Sequence, residues 1–200
     1  MSPTTRSSRA DRALPSRSRW KAAACAGLLA LALPAVAVAN HQHVAAPPLP
    51  ATVLALAPGL AAQGGGEMTF LGLSIYDGWY WGPGHDWKLD VPFAIDLHYN
   101  RSLAGARIAE RSVSEIEKLG LGTPEQLTRW GEAMRRIFPD VAKGDAVTGL
   151  FLPPGIVRYF LNGKVIGEVV DPSFARAFFG IWMDPRTSRA DYRQKLLGGP

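Results

Sequence analysis

Two hundred residues, 47% hydrophobic and 20% charged, suffice for one globular domain with a core of its own. The formal net charge of +5 reflects 22 Lys+Arg against 17 Asp+Glu, but residues 1–39 hold six of the former and one of the latter, which leaves 16 of each in the remainder. That balance excludes nucleic acid as an expected partner, and a single cysteine, Cys25, excludes disulfide support and, beyond residue 39, thiol chemistry.

Residues 1–39 read as a secretory signal peptide. Arg6, Arg9, Arg12, Arg17, Arg19 and Lys21 precede an Ala/Leu/Val run that closes with Ala37-Val38-Ala39, a small-residue cleavage site. Export to the periplasm is the expectation, with no stable membrane span after cleavage. Residues 40–63, rich in Pro and Ala, read as a flexible leader, and residues 64–200 as the folded domain.

Gly64-Gly65-Gly66 is expected to break the chain before one long strand over about 68–81, bent at Gly78. Its odd positions, Leu71, Leu73, Ile75, Asp77, Trp79 and Trp81, form an apolar face with one carboxylate in it. Its even positions alternate small residues with Phe70, Tyr76 and Tyr80. A second strand over 91–100 places Phe93, Ile95, Leu97 and Tyr99 on one face and Asp96 and His98 on the other. Apolar spacing then becomes helical from about 103 to 119, stopped by Gly120 and Gly122. Thr123-Pro124-Glu125-Gln126 starts the next helix with a capping box and a proline in the first turn. "DAVTGLFL" reads as a strand. "IVRYFL" and "KVIGEVV" around Asn162-Gly163 read as a tight hairpin, because both central residues tolerate positive φ. Asp171-Pro172 opens a helix, and Ser188 with Asp191 begins a last short one. Strands and helices come in blocks without βαβ alternation, which predicts an α+β fold with a largely antiparallel sheet and helices on one side.

Motifs for chemistry are few. No H-E-x-x-H and no paired helical histidines occur, so no metal is expected; "GGGE" lacks the Lys of a phosphate loop, and no G-x-S-x-G elbow is present. No cofactor is expected. What stands out is Asp77 in an apolar strand face, where a carboxylate calls for a partner. Arginine is the natural one, with Arg101, Arg107, Arg111 and Arg158 as candidates.

The strand "FLGLSIYDGWYW", the run Arg107 to Ser112 ("RIAERS") and the helix "FARAFFGIWM" before "LLG" together resemble the exported bacterial branch of the chalcone isomerase-like proteins, over about 64–198. The resemblance implies an open-faced β-sandwich, a large antiparallel sheet under a layer of helices. Plant chalcone isomerases close a flavanone ring with the help of an Arg and a Thr near the opening strand. Here no Arg lies between Gly64 and Ile75, and the Thr position falls near Leu71. Other members of the family bind fatty acids through an Arg and a Tyr. By that analogy the expected function is non-catalytic binding of a fatty acid or similar apolar small molecule, with Tyr76, Tyr99, Arg101 and Arg158 at its head group. Asp77 with Arg107 or Arg111 is then a structural ion pair. The alternative is an isomerase or lyase acting on an enone-like substrate. A third reading makes an exposed stretch from Trp79 to Trp87 the dock for a protein partner.

Overall fold

The computed structural model describes residues 45–199, all within the unit His41–Pro200. The expected signal peptide and the first residues of the expected leader lie outside the described residues. A short helix α1 (Ala51–Leu54) precedes strands β1 (Ala61–Phe70), β2 (Leu73–Gly82) and β3 (Phe93–Tyr99). Helices α2 (Gly105–Lys118) and α3 (Pro124–Ile137) follow, then β4 (Ala146–Leu152), β5 (Ile156–Leu161), β6 (Lys164–Val170), α4 (Pro172–Met183) and α5 (Ala190–Leu196). The six strands form one antiparallel sheet in the order β1-β2-β3-β4-β5-β6, so each strand pairs with its neighbour in sequence. The molecule is α+β, as the block order of elements predicts.

The helix boundaries follow local chemistry. Thr123 caps α3 by accepting from the Gln126 amide, while the Gln126 side chain accepts from the Thr123 amide at 2.8 Å. Asp171 caps α4 by accepting from the amides of Ser173 and Phe174, and its other oxygen accepts from Trp130 Nε1 at 2.9 Å, tying α3 to the start of α4. Each such cap is worth about 1 kcal/mol. Ser188, expected to start α5, instead donates to Glu115 at 2.6 Å, and α5 begins two residues later.

The single long strand expected over 68–81 is a hairpin. Its turn is Leu71-Gly72, with φ of 49° and 75°, and the three glycines 64–66 lie inside β1 rather than before it. Gly64 is needed there because a Cβ would sit 2.2 Å from the Lys195 carbonyl, and Gly78 because a Cβ would meet the Tyr192 hydroxyl at 2.4 Å. Both gaps admit α5 against the sheet.

Alternation along the strands divides the interior in two. One face carries Tyr80, Phe93, Ile95, Phe151 and Tyr159, buried under α4 residues such as Phe174, Phe178 and Phe179. Ring centroids of Phe93 and Phe179 lie 4.6 Å apart, edge to face. The far face carries Trp79, Trp81, Ala94, Leu150 and Phe160, covered by Leu49, Val53 and Ala57. The expected flexible leader therefore contains a core-forming segment from Leu49 onward, and Thr52 Oγ1 ties it to the Gly163 carbonyl at 2.7 Å. Trp79 and Trp81 are buried and Trp87 is half-buried against the main core, so the three tryptophans do not form the exposed dock.

Candidate functional site

Between the helix-side face of the sheet and the helices lies a cavity of about 350 Å³, within the range of small-molecule sites. Ile95, Leu97 and Tyr99 of β3, Val147 and Gly149 of β4 and Tyr159 of β5 form its floor. Ile108 of α2 and Phe178, Ile181 and Trp182 of α4 form its roof. The exposed members of the lining are Phe70, Arg107, Arg111 and Ser188, which places the opening beside the β1–β2 turn, α2 and the approach to α5.

Polar groups gather toward that opening. Tyr76, on β2, accepts a hydrogen bond from Trp182 Nε1 at 3.0 Å, which leaves its own proton free to donate. Burial pushes the Tyr76 phenol up to about 12, only partly offset by the Trp182 bond. Burial raises Tyr99 as well, with the Tyr76 ring 5.8 Å away. Tyr159 is raised by burial, and its hydroxyl meets no partner among the described residues. At neutral pH all three phenols are donors, not bases.

Glu115, buried on α2, organises the cations. It accepts from Arg111 at 2.7 Å, from Lys118 at 2.9 Å and from Ser188 at 2.6 Å. Burial pushes its carboxyl up, but the bonds from Ser188 and Lys118 and the charges of Arg111 and Lys118 outweigh that and hold it below its ordinary value. Arg189 chelates Asp191 and donates to the Thr69 carbonyl at 2.7 Å, joining the start of α5 to the end of β1.

The arginines at the cavity are thus Arg107, Arg111 and Arg189. Arg101 is exposed after β3 and is not part of the lining. Arg158 lies on the far face, paired in register with Glu168 and donating to it at 2.7 Å. Tyr76 and Tyr99 do line the cavity. The expected ion pair of Asp77 with Arg107 or Arg111 is not formed. Asp77 accepts from Asn100 Nδ2 at 3.0 Å, while Arg107 pairs with Glu110 and Arg111 with Glu115. The cause is geometric: β2 alternation turns Asp77 toward the face opposite Tyr76, away from α2, and a neutral amide across the sheet satisfies it. On that far face Asp96 is also satisfied, accepting from Thr148 Oγ1 at 2.6 Å with His98 Nε2 2.8 Å away. Arg189 escaped the sequence reading because its partners Met68 and Thr69 lie about 120 residues away, with no local pattern to mark it. Among the described residues no cluster of His, Cys, Asp or Glu could hold a metal ion, and no helix is long and apolar enough to cross a membrane.

The architecture is a single antiparallel sheet roofed by helices, with an apolar cavity between the layers and phenols and guanidinium groups in its lining. A family profile described as chalcone isomerase-like matches residues 91–198, and the chain belongs to that family. An uncharacterized protein of Haemophilus influenzae is 28% identical over 131 residues, 59% of this chain; the match spans 63% of that relative's length. Among solved structures, a fatty-acid binding protein of Arabidopsis thaliana superposes with a TM-score of 0.52 at 13% identity, covering 70% of this chain and 88% of the other. That likeness establishes the fold.

Proposed function

We propose that the protein is a non-catalytic carrier of a fatty acid or similar apolar acid, working in the periplasm after export. The observation that carries this reading is the cavity itself: an apolar chamber whose charged lining groups, Arg107, Arg111, Glu115 and Arg189, all come from α2 and the start of α5, as a molecule with one charged head and an apolar tail requires. The fatty-acid binding protein of the same fold supports it, and so does the family. Head-group recognition falls to Tyr76, whose proton is free, with Arg111 and Arg189 supplying positive charge nearby. Tyr99 and Tyr159 offer further donors along the floor. Phenols held protonated suit hydrogen bonding to a carboxylate, whereas a phenolate base for enone cyclisation would need a lowered pKa.

The test is extraction of gently purified protein followed by mass spectrometry, with displacement of a fluorescent fatty acid as the quantitative assay. A stoichiometric hydrophobic acid is expected, and Tyr76→Phe should weaken binding roughly tenfold, the scale of one charge-assisted hydrogen bond. Protein that is empty and displaces no probe would overturn the reading. Steady turnover of a chalcone, lost in Tyr76→Phe, would replace it with the isomerase.

A further inference from the structure

The β1–β2 turn has an unusual composition for its geometry. With φ of 49° and 75° between the paired residues Phe70 and Leu73, Leu71-Gly72 is a two-residue turn with both central residues at positive φ, a geometry that favours Asn, Asp or Gly first. A leucine there is disfavoured by its own Cβ. It is also 86% exposed, flanked by Phe70 at 50% and Leu73 at 52%. Three neighbouring apolar side chains thus project at a position where neither turn chemistry nor packing asks for them. Phe70 belongs at once to this tip and to the cavity lining, so whatever covers the tip also faces the opening.

Two guanidinium groups meet this end of the hairpin: Arg189 donates to the Thr69 carbonyl at 2.7 Å, and Arg111 reaches Phe70. The Arg111 guanidinium lies over the Phe70 ring, 5.3 Å from its centroid, and is itself half exposed. Apolar side chains flanked by two arginines match the layering of a phospholipid surface, where phosphates lie outside the hydrocarbon.

We propose that the 70–73 tip inserts into the surface of a phospholipid bilayer and presents the cavity opening to the lipid. Docking stands on the tip alone. That the docked state serves to exchange an apolar acid between bilayer and cavity rests on the carrier reading above.

The test is flotation of the chain without residues 1–39, the form expected after signal cleavage, with vesicles of phosphatidylcholine, with and without phosphatidylglycerol. Wild type should float with the vesicles, more strongly when they are anionic. Leu71→Asn should lower membrane affinity roughly tenfold, the scale of removing one inserted leucine. Its melting temperature should not fall, because Asn suits the turn. Val165→Asn, at a residue of β6 that is 58% exposed and apolar but lies elsewhere, should leave flotation unchanged. Equal flotation of Leu71→Asn and wild type, an equal loss in Val165→Asn, or a wild type that ignores both vesicle types, as it would if the tip met a protein instead, would each overturn the proposal. The two readings fail separately: an empty cavity leaves flotation intact, and lost flotation leaves extraction of the bound acid intact.

Discussion

Two hairpin tips in this protein share one backbone and differ in everything attached to it. At Asn162-Gly163, φ is 49° and 76°; at Leu71-Gly72 it is 49° and 75°. In the first, the Asn162 side chain accepts from the Ala146 amide and donates to Asp145, each at 2.9 Å, and Thr52 donates to the Gly163 carbonyl. Local preference and tertiary bonding agree. In the second, the turn's first residue is a leucine open to solvent, and the contact that shields the tip is Arg111 over Phe70. Local chemistry there is sacrificed with no packing gain inside the molecule. A rule kept at one tip and broken at the other, on the same backbone, separates what folding needs from what an outside partner needs.

The largest test of that difference makes the first tip resemble the second. Asn162→Leu removes both side-chain bonds and puts a branched carbon at positive φ. Unfolding free energy should fall by about 3 kcal/mol, from the lost bonds and the left-handed backbone together. Denaturant titration measures it. A loss under about 1 kcal/mol would mean that the bonds at this tip contribute little, and the contrast would weaken.

Glu115 comes next, because it holds Arg111 in place beside the other tip. Its folded pKa is depressed, so its contribution is present above the ordinary glutamate value of 4.5 and is lost as pH falls through the lower folded value. Wild type should therefore lose stability on acidification below about pH 4.5, and Glu115→Gln should flatten that loss. At neutral pH the same change should cost about 1–2 kcal/mol, since Arg111, Lys118 and Ser188 lose a charged acceptor. An unchanged pH profile would show that the bonds to Glu115 do not survive in solution.

How far these features could be read beforehand follows from the same chemistry. Asn162-Gly163, the Thr123 capping box and the Asp171 cap each signal through residues within four positions, and each is where the sequence places it. Leu71-Gly72 sends no such signal, because leucine is a strand residue by preference; hence β1 and β2 read as one strand. Asp77 misled for a different reason. An apolar strand face points to the main core, yet the sheet buries both faces, the second under the segment around Val53. A carboxylate on that second face meets Asn100 rather than an arginine of α2. Of the cavity, Tyr76 and Tyr99 are reached through the family resemblance, with strand alternation giving only their faces, while Arg189 depends on a docking across the whole chain.

Leu71→Asn reverses the first experiment, giving the exposed tip the residue its backbone prefers. Stability should rise by about 1 kcal/mol, relief of the left-handed leucine, which for a chain of this size raises Tm by roughly 2–4 °C. Loss of stability would mean that Leu71 is held by contacts within the fold, and the exposed tip would cease to be a candidate for anything outside.

Phe70→Leu should have the smallest effect and separates the two uses of that residue. The change keeps an apolar side chain at the tip and at the cavity opening but removes the ring beneath Arg111, an exposed cation–π contact worth about 0.5–1 kcal/mol. If Phe70 matters to the fold only through that contact, unfolding free energy should drop by no more than this amount. Arg111 should then keep its bond to Glu115, and the acid profile should match wild type. A loss above about 2 kcal/mol would exceed any exposed ring contact and would reassign Phe70 to the core. The Leu71-Gly72 hairpin would then resemble the Asn162-Gly163 hairpin in being braced from within, and its leucines would no longer need an explanation outside the chain.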